Sequence, residues 1–383
     1  MKALQPSSPQ ELAATLAAAR AQRASVELSG HGSKRRMGGA IQAADTAICL
    51  AGLRRLLIYE PKDLTVSVEA GMPWCELART LAAERQMVPL DPPFFDAATV
   101  GGVVASNTSG PRRRLLGTAR DFIIGMKFAT MEGKLIQSGG MVVKNVAGLD
   151  MAKLMIGSMG TLAAVAVVNF KVVPAPPASR TFLLSFSSAA AALEARDGIL
   201  RGILQPAAID LFNPSAAAEL GRQDFLLAIQ AGGNPAVLDR YQQELRTAGK
   251  ADVLESHTED EFWTGVREFV PGFLGRAPQG EVVRVSATLS QVKEVFESLP
   301  EAGFARAGSG IVYGCFTQVS AAAAWSASAA AKGWKAIIEY APEDRAGLEL
   351  WPNPGNDLRL FEQIKDRFDP ERLLNRGRLY HRI

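Results

Sequence analysis

Hydrophobic residues near the N-terminus recur at helical spacing. Leu12, Leu16 and Ala19 share one face of a helix. Ser8 followed by Pro9 is a typical helix start, because a serine caps the first turn and proline needs no hydrogen-bonded N–H there. A second helix of the same kind is predicted after Pro73, with one apolar face. A short strand, SVEL, stands between the two helices.

Strand-like patterns occur on both sides of residue 175. TVSVEAG alternates with period two, and GTLAAVAVVNFKVVP is a strand-rich run that ends at Pro174. After the linker-like APPAS, the segments TFLLSF, FLLAIQAGG and EVVRVSATLS predict further strands with helices between them. SAAAAWSASAAAKGW predicts a buried helix and NDLRLFEQIKDRF an amphipathic one. The pattern predicts an α+β protein in three parts, residues 1–175, 176–340 and 341–383.

The composition agrees with an ordinary globular protein that has a sizeable core. The 383 residues exceed one compact domain, 48% are hydrophobic and 21% are charged. The net charge is +3, and the basic residues form two short clusters, SKRR and PRRR, rather than one long patch. A nucleic-acid partner is therefore not supported.

The three cysteines, Cys49, Cys75 and Cys315, are far apart in the sequence. They cannot supply four ligands to an iron–sulfur cluster and do not indicate a disulfide framework. The N-terminus lacks the apolar stretch of a signal peptide, and no apolar run is long enough to span a membrane. We expect a cytoplasmic protein, or one associated with a membrane through a partner.

Glycines are concentrated in two blocks, PLDPPFFDAATVGGVVASNTSG and VVKNVAGLDMAKLMIGSMGTL. Glycines beside small polar residues indicate a backbone that lies close against something bulky. Upstream, SGHGSK offers successive backbone N–H groups and a cation, which would suit a phosphate, but from this stretch alone a solvated basic turn is the favoured interpretation.

Other chemistry finds little support. Arg35 stands where the dinucleotide fingerprint Gly-x-Gly-x-x-Gly needs its third glycine, and neither a P-loop nor Gly-x-Ser-x-Gly is present. The three histidines, His31, His257 and His381, show no metal-ligand spacing. No metal site is predicted.

Five motifs carry a family resemblance: SGHGSK, VEAGMPWCEL, PLDPPFFDAATVGGVVASNTSGPRRRLLGTARDFIIG, GGMVVKNVAGLDMAKLMIGSMGTL and FDPERLLNRGR, in this order. Together they resemble the vanillyl-alcohol oxidase, or PCMH-type, FAD-binding family, and within it the FAD-binding E subunits of bacterial glycolate oxidases. The resemblance covers roughly residues 1–175 and the C-terminal tail. It implies a two-subdomain FAD-binding domain, a second α+β domain, and a tail that packs back on the first.

The resemblance also implies the cofactor and its contacts. The loop after the first strand would wrap the FAD pyrophosphate through Gly30, His31, Gly32, Ser33 and Lys34. The flavin would be lined by Pro89, Leu90, Asp91, Thr99, Gly101 and Gly102, with Ser106, Asn107, Ser109 and Gly110 beside it. The adenosine half would contact Gly157, Gly160, Leu162 and Val165.

Two departures from the family pattern bear on function. Gly32 stands where covalently flavinylated relatives have a histidine, so we expect non-covalent FAD. Related 2-hydroxy-acid dehydrogenases carry a histidine-containing HxGDGNxH-like element, where this chain has ARAGSGIVYGCF. Arg306 stands in that segment without histidines and is expected to be a surface residue. Imidazole is the usual base for such oxidations, so the chain looks poorly equipped to oxidise glycolate alone.

The resemblance therefore implies an FAD-binding subunit of a glycolate oxidase complex that oxidises glycolate to glyoxylate. A D-type flavin subunit would supply the hydroxy-acid site, and an iron–sulfur subunit would take the electrons. One alternative is a stand-alone FAD-dependent 2-hydroxy-acid or alcohol dehydrogenase, with Lys144, Tyr313 or Glu339 as its acid or base. The other is an assembly module that has lost the flavin.

Overall fold

The computed structural model of the chain describes residues 2–142, 149–345, 347–352 and 354–383. The strands of the first part, among the residues described, are β1 (Lys2–Leu4), β2 (Val26–Ser29), β3 (Thr46–Cys49), β4 (Leu56–Glu60), β5 (Thr65–Glu69), β6 (Gln86–Met87), β7 (Ile123–Ala129), β8 (Leu135–Gly139), β9 (Ala164–Lys171) and β10 (Val173–Pro174). Its helices in the described residues are α1 (Pro9–Ala21), α2 (Trp74–Ala83), α3 (Val100–Ser106), α4 (Arg113–Leu116), α5 (Ala119–Phe122) and α6 (Ala152–Met155).

These strands form two principal sheets. A parallel three-stranded sheet has the order β1-β3-β2, and an antiparallel five-stranded sheet has the order β4-β5-β9-β7-β8. Strand β9 is central, and its residues from Ala164 to Phe170 are all buried, because helices cover one side and the neighbouring sheet the other. A two-stranded pairing of β6 with β10 completes this part.

The second part is built on one antiparallel sheet of eight strands in the order β14-β11-β13-β12-β16-β17-β15-β18. The strands are β11 (Ala178–Phe186), β12 (Ala208–Phe212), β13 (Phe225–Gly233), β14 (Asp252–Leu254), β15 (Glu281–Ser286), β16 (Gly303–Arg306), β17 (Ile311–Phe316) and β18 (Lys335–Tyr340). The helices are α7 (Ala189–Arg201), α8 (Pro214–Glu219), α9 (Pro235–Leu245), α10 (Ser256–Arg267), α11 (Phe269–Arg276), α12 (Val292–Glu297) and α13 (Val319–Ala331). Two hydrophobic clusters flank the sheet, one with α7, α9, α12 and α13 and the other with α8, α10 and α11.

The C-terminal segment returns to the first part, as predicted. It contains helix α14 (Leu358–Phe368), whose Lys365 is 1% exposed. The Lys365 ammonium donates to the Thr161 carbonyl at 2.7 Å, to Asp369 Oδ2 at 2.7 Å and to the Leu374 carbonyl at 2.9 Å. Leu374 also pairs with Val26 beside β2. The buried cation therefore fastens the tail to the first part.

Several sequence predictions are confirmed. The Ser8 side chain accepts a hydrogen bond from the Glu11 amide at 3.1 Å, as a helix cap requires. Helix α13 differs from its prediction, because only one face of this Ala-rich helix is buried, through Ala322, Trp325 and Ala329. The eight-stranded sheet lies between Ala178 and Tyr340. The domain boundaries at 175 and 340 stay a proposal.

Candidate functional site

Two adjoining cavities lie between the sheets. The first, here the glycine cavity, is lined by backbone-rich segments that include Gly30–Lys34, Thr99, Gly101, Gly102, Gly160, Val165, Asn375 and Arg378. The second, here the arginine cavity, is lined by Asp91, Asn107, Ser109, Gly110, Arg113, Gly157, Arg267, Arg284, Arg306, Tyr313 and Glu339, among others. Both cavities share Ser106 and Met159. They therefore adjoin one another as parts of one extended site.

The loop after β2 presents free backbone donors to the glycine cavity. Gly32 has a φ of +75°, a left-handed conformation that suits glycine and turns successive amides toward one side. In the described part of the chain, the amides of residues 31–34 donate no hydrogen bond. A concave run of unsatisfied N–H groups is a typical anion-binding arrangement.

Arginines hold carbonyls of the same loop and of the residues that follow it. Arg378 donates to the carbonyls of Lys34 at 3.2 Å and Gly39 at 3.1 Å. Arg345 donates to the Arg35 carbonyl at 2.6 Å. These guanidinium groups therefore fix the backbone of the loop.

Lys34 adds a buried cation beside this cavity. It is 9% exposed, and its ammonium makes no hydrogen bond in the described residues but lies 5.9 Å from the centroid of the Phe94 ring. Burial lowers the pKa of Lys34 to about 8, and Glu268 opposes that shift. A buried ammonium without a partner is costly, so a ligand with negative charge would stabilise it. This contradicts the alternative of a solvated basic turn.

Helix α3 forms a second wall. The Thr99 hydroxyl caps it by accepting from the Gly102 amide at 3.2 Å. Gly30 lies so close to this cap that a Cβ atom there would stand 2.4 Å from Thr99 Oγ1. A Cβ on Gly101 would stand 2.8 Å from the Ala70 side chain. Some of these glycines therefore allow close contacts within the protein, whereas the sequence pattern had indicated contacts with a ligand.

The C-terminal tail contributes residues to the glycine cavity that sequence reasoning missed. The Asn375 side chain accepts from the Leu28 amide at 2.7 Å and donates to the Met159 carbonyl at 2.8 Å. Asn375 thereby joins β2, the strand before the Gly30–Lys34 loop, to the loop before β9. The tail motif NRGR was the signal, but the sequence did not show which wall it would reach.

Most predicted contacts are brought together. Eleven of them line the glycine cavity, namely Gly30, His31, Gly32, Ser33, Lys34, Thr99, Gly101, Gly102, Ser106, Gly160 and Val165. Asp91, Asn107, Ser109, Gly110 and Gly157 line the arginine cavity. Pro89, Leu90 and Leu162 line neither, since Leu90 and Leu162 pack in the hydrophobic core and Pro89 is buried beside Leu90. The proposed contacts of these three residues gain no support from the cavity.

The arginine cavity contains several charged side chains. Arg306 is 7% exposed and forms an ion pair with the fully buried Asp210, so its predicted surface position is wrong. Burial raises the pKa of Asp210 to about 6 although Arg306 opposes it. Arg284 lies 3.3 Å from Glu339. Burial also raises the pKa of Glu339, against the opposing effect of Arg284 and Arg113.

Tyr313 and Asp91 complete the polar lining. Burial raises the pKa of Tyr313 to about 12, so its hydroxyl stays protonated at neutral pH. Burial alone would raise the pKa of Asp91, but the Arg112 guanidinium outweighs it and holds that pKa below its usual value. Of the three acid–base candidates, Tyr313 and Glu339 lie in this cavity and Lys144 lies outside the described residues. Asn145 and Gly148 of the second glycine block also lie outside the described residues.

Dinucleotide-type cofactors fit this arrangement. The free amides and the unpaired Lys34 ammonium suit a pyrophosphate, and the apolar and glycine surfaces from Gly101 to Val165 suit planar groups. Within the described residues, no group of three or more His, Cys, Asp or Glu side chains could hold a metal ion. No helix in the same residues is long and apolar enough to cross a membrane.

Known proteins resemble parts of this chain. Residues 2–139 match the family described as FAD binding domain. Glycolate oxidase subunit GlcE of Escherichia coli is 38% identical over 154 residues, which are 40% of this chain and 43% of that protein. D-2-hydroxyglutarate dehydrogenase of Xanthomonas citri pv. viticola is 35% identical over 185 residues, which are 48% of this chain and 39% of that protein. The matched segments span less than half the length of both relatives.

A solved structure extends the likeness to the whole fold. The crystal structure of p-cresol methylhydroxylase with substrate bound superposes with a TM-score of 0.75 over 98% of this chain and 88% of the other, at 13% identity. At that identity the likeness concerns the fold alone. The predicted PCMH-type fold is therefore confirmed, and residues 2–139 are similar to the FAD binding domain family.

Proposed function

We propose that this chain is the FAD-binding subunit of a glycolate oxidase-type complex, in which a D-type flavin subunit oxidises glycolate to glyoxylate and an iron–sulfur subunit receives the electrons. The observation that carries the proposal is the glycine cavity, with its free loop amides and unpaired Lys34 ammonium, on a chain similar to a glycolate oxidase subunit. FAD is proposed to bind there without a covalent bond. Bound FAD would supply a two-electron acceptor.

The chain's own residues would hold the cofactor. Gly30 to Lys34 would bind the pyrophosphate through backbone N–H groups and one ammonium, and Thr99 to Gly110 would line the flavin. Arg378 and Arg345 would keep the loop in its binding orientation. The site belongs to a protein expected in the cytoplasm, or at a membrane through its partners.

Co-expression tests the subunit proposal. The chain would be produced with and without a D-type and an iron–sulfur subunit, and flavin content and glycolate-dependent dye reduction would be measured. We expect flavin on the isolated chain and glycolate oxidation only by the assembled complex. Normal glycolate oxidation by the isolated chain would overturn the proposal.

A stand-alone dehydrogenase is a second candidate, favoured by the arrangement in the arginine cavity. Glu339, with its raised pKa, could accept a proton there, and Tyr313 could donate a hydrogen bond. The partial likeness to D-2-hydroxyglutarate dehydrogenase favours the same class. Flavin bleaching by a panel of 2-hydroxy acids and alcohols, in the absence of other subunits, would identify this activity. The flavin-free assembly module is disfavoured by the FAD binding domain match.

A further inference from the structure

A third cavity adjoins the arginine cavity. It has a volume of about 750 Å³, and Asp91 and Arg267 line both cavities. Helix α2 forms one of its walls through Ala78, Ala82 and neighbouring residues, so it is called the α2 cavity here. Several of its lining residues, among them Ala82 and Asp260, are exposed, so the cavity opens to solvent. Its volume is large enough for a small molecule.

The segment Asp91–Phe95 forms part of the wall between these two cavities. Asp91 lines both of them, Pro93 lines the arginine cavity, and Phe95 lines the α2 cavity. The segment also joins the two parts of the chain. Phe94 packs against a hydrophobic cluster of the second part, whereas Phe95 packs against a cluster of the first. A movement of this segment would therefore connect the two cavities.

The backbone of this segment is strained at two positions. Asp91 has a φ of +47° and Phe94 a φ of +59°, both in the left-handed region. That region is unfavourable for a bulky aromatic residue such as phenylalanine. Strained residues of this kind persist only where surrounding contacts hold them. The strain therefore favours another conformation of the segment whenever those contacts are lost.

Side chains outside the segment hold it in place. The two carboxylate oxygens of Glu268 accept hydrogen bonds from the amides of Phe94 at 3.1 Å and Phe95 at 3.0 Å. The Arg267 guanidinium lies 4.1 Å from the centroid of the Phe95 ring and donates to Glu268 Oε1 at 3.2 Å. At the other end, Arg112 donates to Asp91 Oδ2 at 2.8 Å. One carboxylate of the second part thus fixes two successive amides of the first.

We propose that the segment Asp91–Phe95 is a gate between the α2 cavity and the arginine cavity, and that Glu268 is the residue that holds it closed. When the two hydrogen bonds from Glu268 are broken, the segment leaves its strained conformation and small molecules pass from the α2 cavity to the arginine cavity. The inference goes beyond the proposed function. Only the meaning of the gate as a route toward a flavin rests on that function.

Modification of a thiol placed in the arginine cavity tests the gate. Val270 lines that cavity and is 8% exposed, so Val270→Cys in a Cys49→Ser/Cys75→Ser background gives a buried reporter. Iodoacetamide, a small uncharged reagent, would be added to the full chain and the modification rate measured by mass spectrometry. The same protein without Val270→Cys corrects for Cys315.

Variants of Glu268 should open the gate. Glu268→Ala removes two charge-assisted hydrogen bonds, so the modification rate should rise about tenfold or more. Glu268→Gln keeps one acceptor oxygen and should lie between wild type and Glu268→Ala. Glu261→Ala, an exposed position on the same helix, is the matched control and should leave the rate unchanged. An unchanged rate in both Glu268 variants, with the fold intact by circular dichroism, would overturn the proposal.

Filling the α2 cavity tests the route. The pair Ala78→Trp/Ala82→Trp places two large side chains in that cavity, and it should cancel most of the gain in rate that Glu268→Ala produces. Arg79→Trp/Ala83→Trp places the same side chains on exposed positions of α2 and should leave the gain intact. If the gain persists undiminished with the α2 cavity filled, the reagent enters elsewhere and the gate is wrong.

The outcomes distinguish the gate from the proposed function, because the thiol rates are measured on the flavin-free and on the FAD-loaded chain. If the chain fails to take up FAD, the proposed function is wrong, and the rates of the flavin-free chain still decide the gate. If FAD binds and the Glu268 variants leave the rate unchanged, the gate is wrong and the flavin subunit proposal stands. If Glu268→Ala does not fold, Glu268→Gln decides the outcome.

Discussion

The two cavities are built from different chemistry. The glycine cavity offers the free backbone amides of residues 31–34. The arginine cavity offers charged side chains, of which Arg284, Arg306 and Glu339 come from the eight-stranded sheet. A backbone site depends on local turns and glycines. A side-chain site depends on which distant strands come together, so the two sites differ in how they should respond to substitution.

The largest effect is expected in the arginine cavity at Arg306. Replacing Arg306 by Gln leaves the fully buried Asp210 carboxylate without its cation, so the free energy of unfolding should fall by about 3–5 kcal/mol. Chemical denaturation would measure it. The double variant Asp210→Asn/Arg306→Gln should recover much of that loss, since it removes the uncompensated charge. Equal losses in the single and double variants would show that the pair is not coupled.

A pH-dependent effect is expected at Glu281, the first residue of β15. This carboxylate is 0% exposed, has no hydrogen-bond partner in the described residues, and has a pKa raised by burial to about 7, with Arg36 opposing. A raised folded-state pKa means that stability is greatest below the unfolded pKa and is lost as pH rises through 7. From pH 4.5 to 8 this group should cost about 3 kcal/mol of unfolding free energy.

The variant Glu281→Gln should remove that part of the pH dependence. Unfolding free energies of wild type and variant, measured by denaturant titration across this pH range, should converge at low pH, separate as the pH rises from about 4.5 to about 7, and stay apart above pH 7. Parallel curves for the two proteins would contradict the assignment. Glu297→Gln, at an exposed position, is the matched control and should follow wild type.

Replacing Lys34 should have two effects of opposite sign, one on FAD affinity and one on the stability of the flavin-free protein. Lys34→Gln should weaken FAD binding about 10- to 100-fold, because it removes a charge-assisted contact to the pyrophosphate. The flavin-free protein should become more stable by about 1–3 kcal/mol, since an unpaired buried cation is lost. Flavin fluorescence titration and thermal unfolding would measure the two effects. Lys62→Gln, on the surface of the same part, should change neither.

The smallest effects should separate the two roles of glycine. In Gly101→Ala the new Cβ would stand 2.8 Å from the Ala70 side chain, so unfolding free energy should fall by about 1–3 kcal/mol with or without FAD. In Gly102→Ala the nearest atom is Thr99 Oγ1 at 3.1 Å, and that side chain can adjust. We expect Gly102→Ala to reduce FAD affinity with little loss of apo stability. Equal changes of unfolding free energy and FAD affinity in the two variants would contradict this distinction.

The glycine cavity was largely predictable because its residues lie in short motifs. The free amides after β2 follow from the local turn at Gly32, and the sequence placed Lys34 beside them. The sequence did not separate Gly101, which packs against Ala70, from glycines that face the cavity. Both kinds are glycine in the sequence, and only the distances to neighbouring atoms in the structure distinguish them.

The sequence alone determined the helices and strands with clear periodicity, the class of fold and the segments expected to hold FAD, because those depend on interactions between near neighbours. Only the tertiary structure decided that Arg306 is buried against Asp210, that Asn375 holds β2 and Arg378 the loop after it, and that Arg113 and Tyr313 line one cavity. These contacts join residues 96 to more than 340 positions apart. Spacing along the chain carries no information about such pairs, since the docking of whole sheets brings them together.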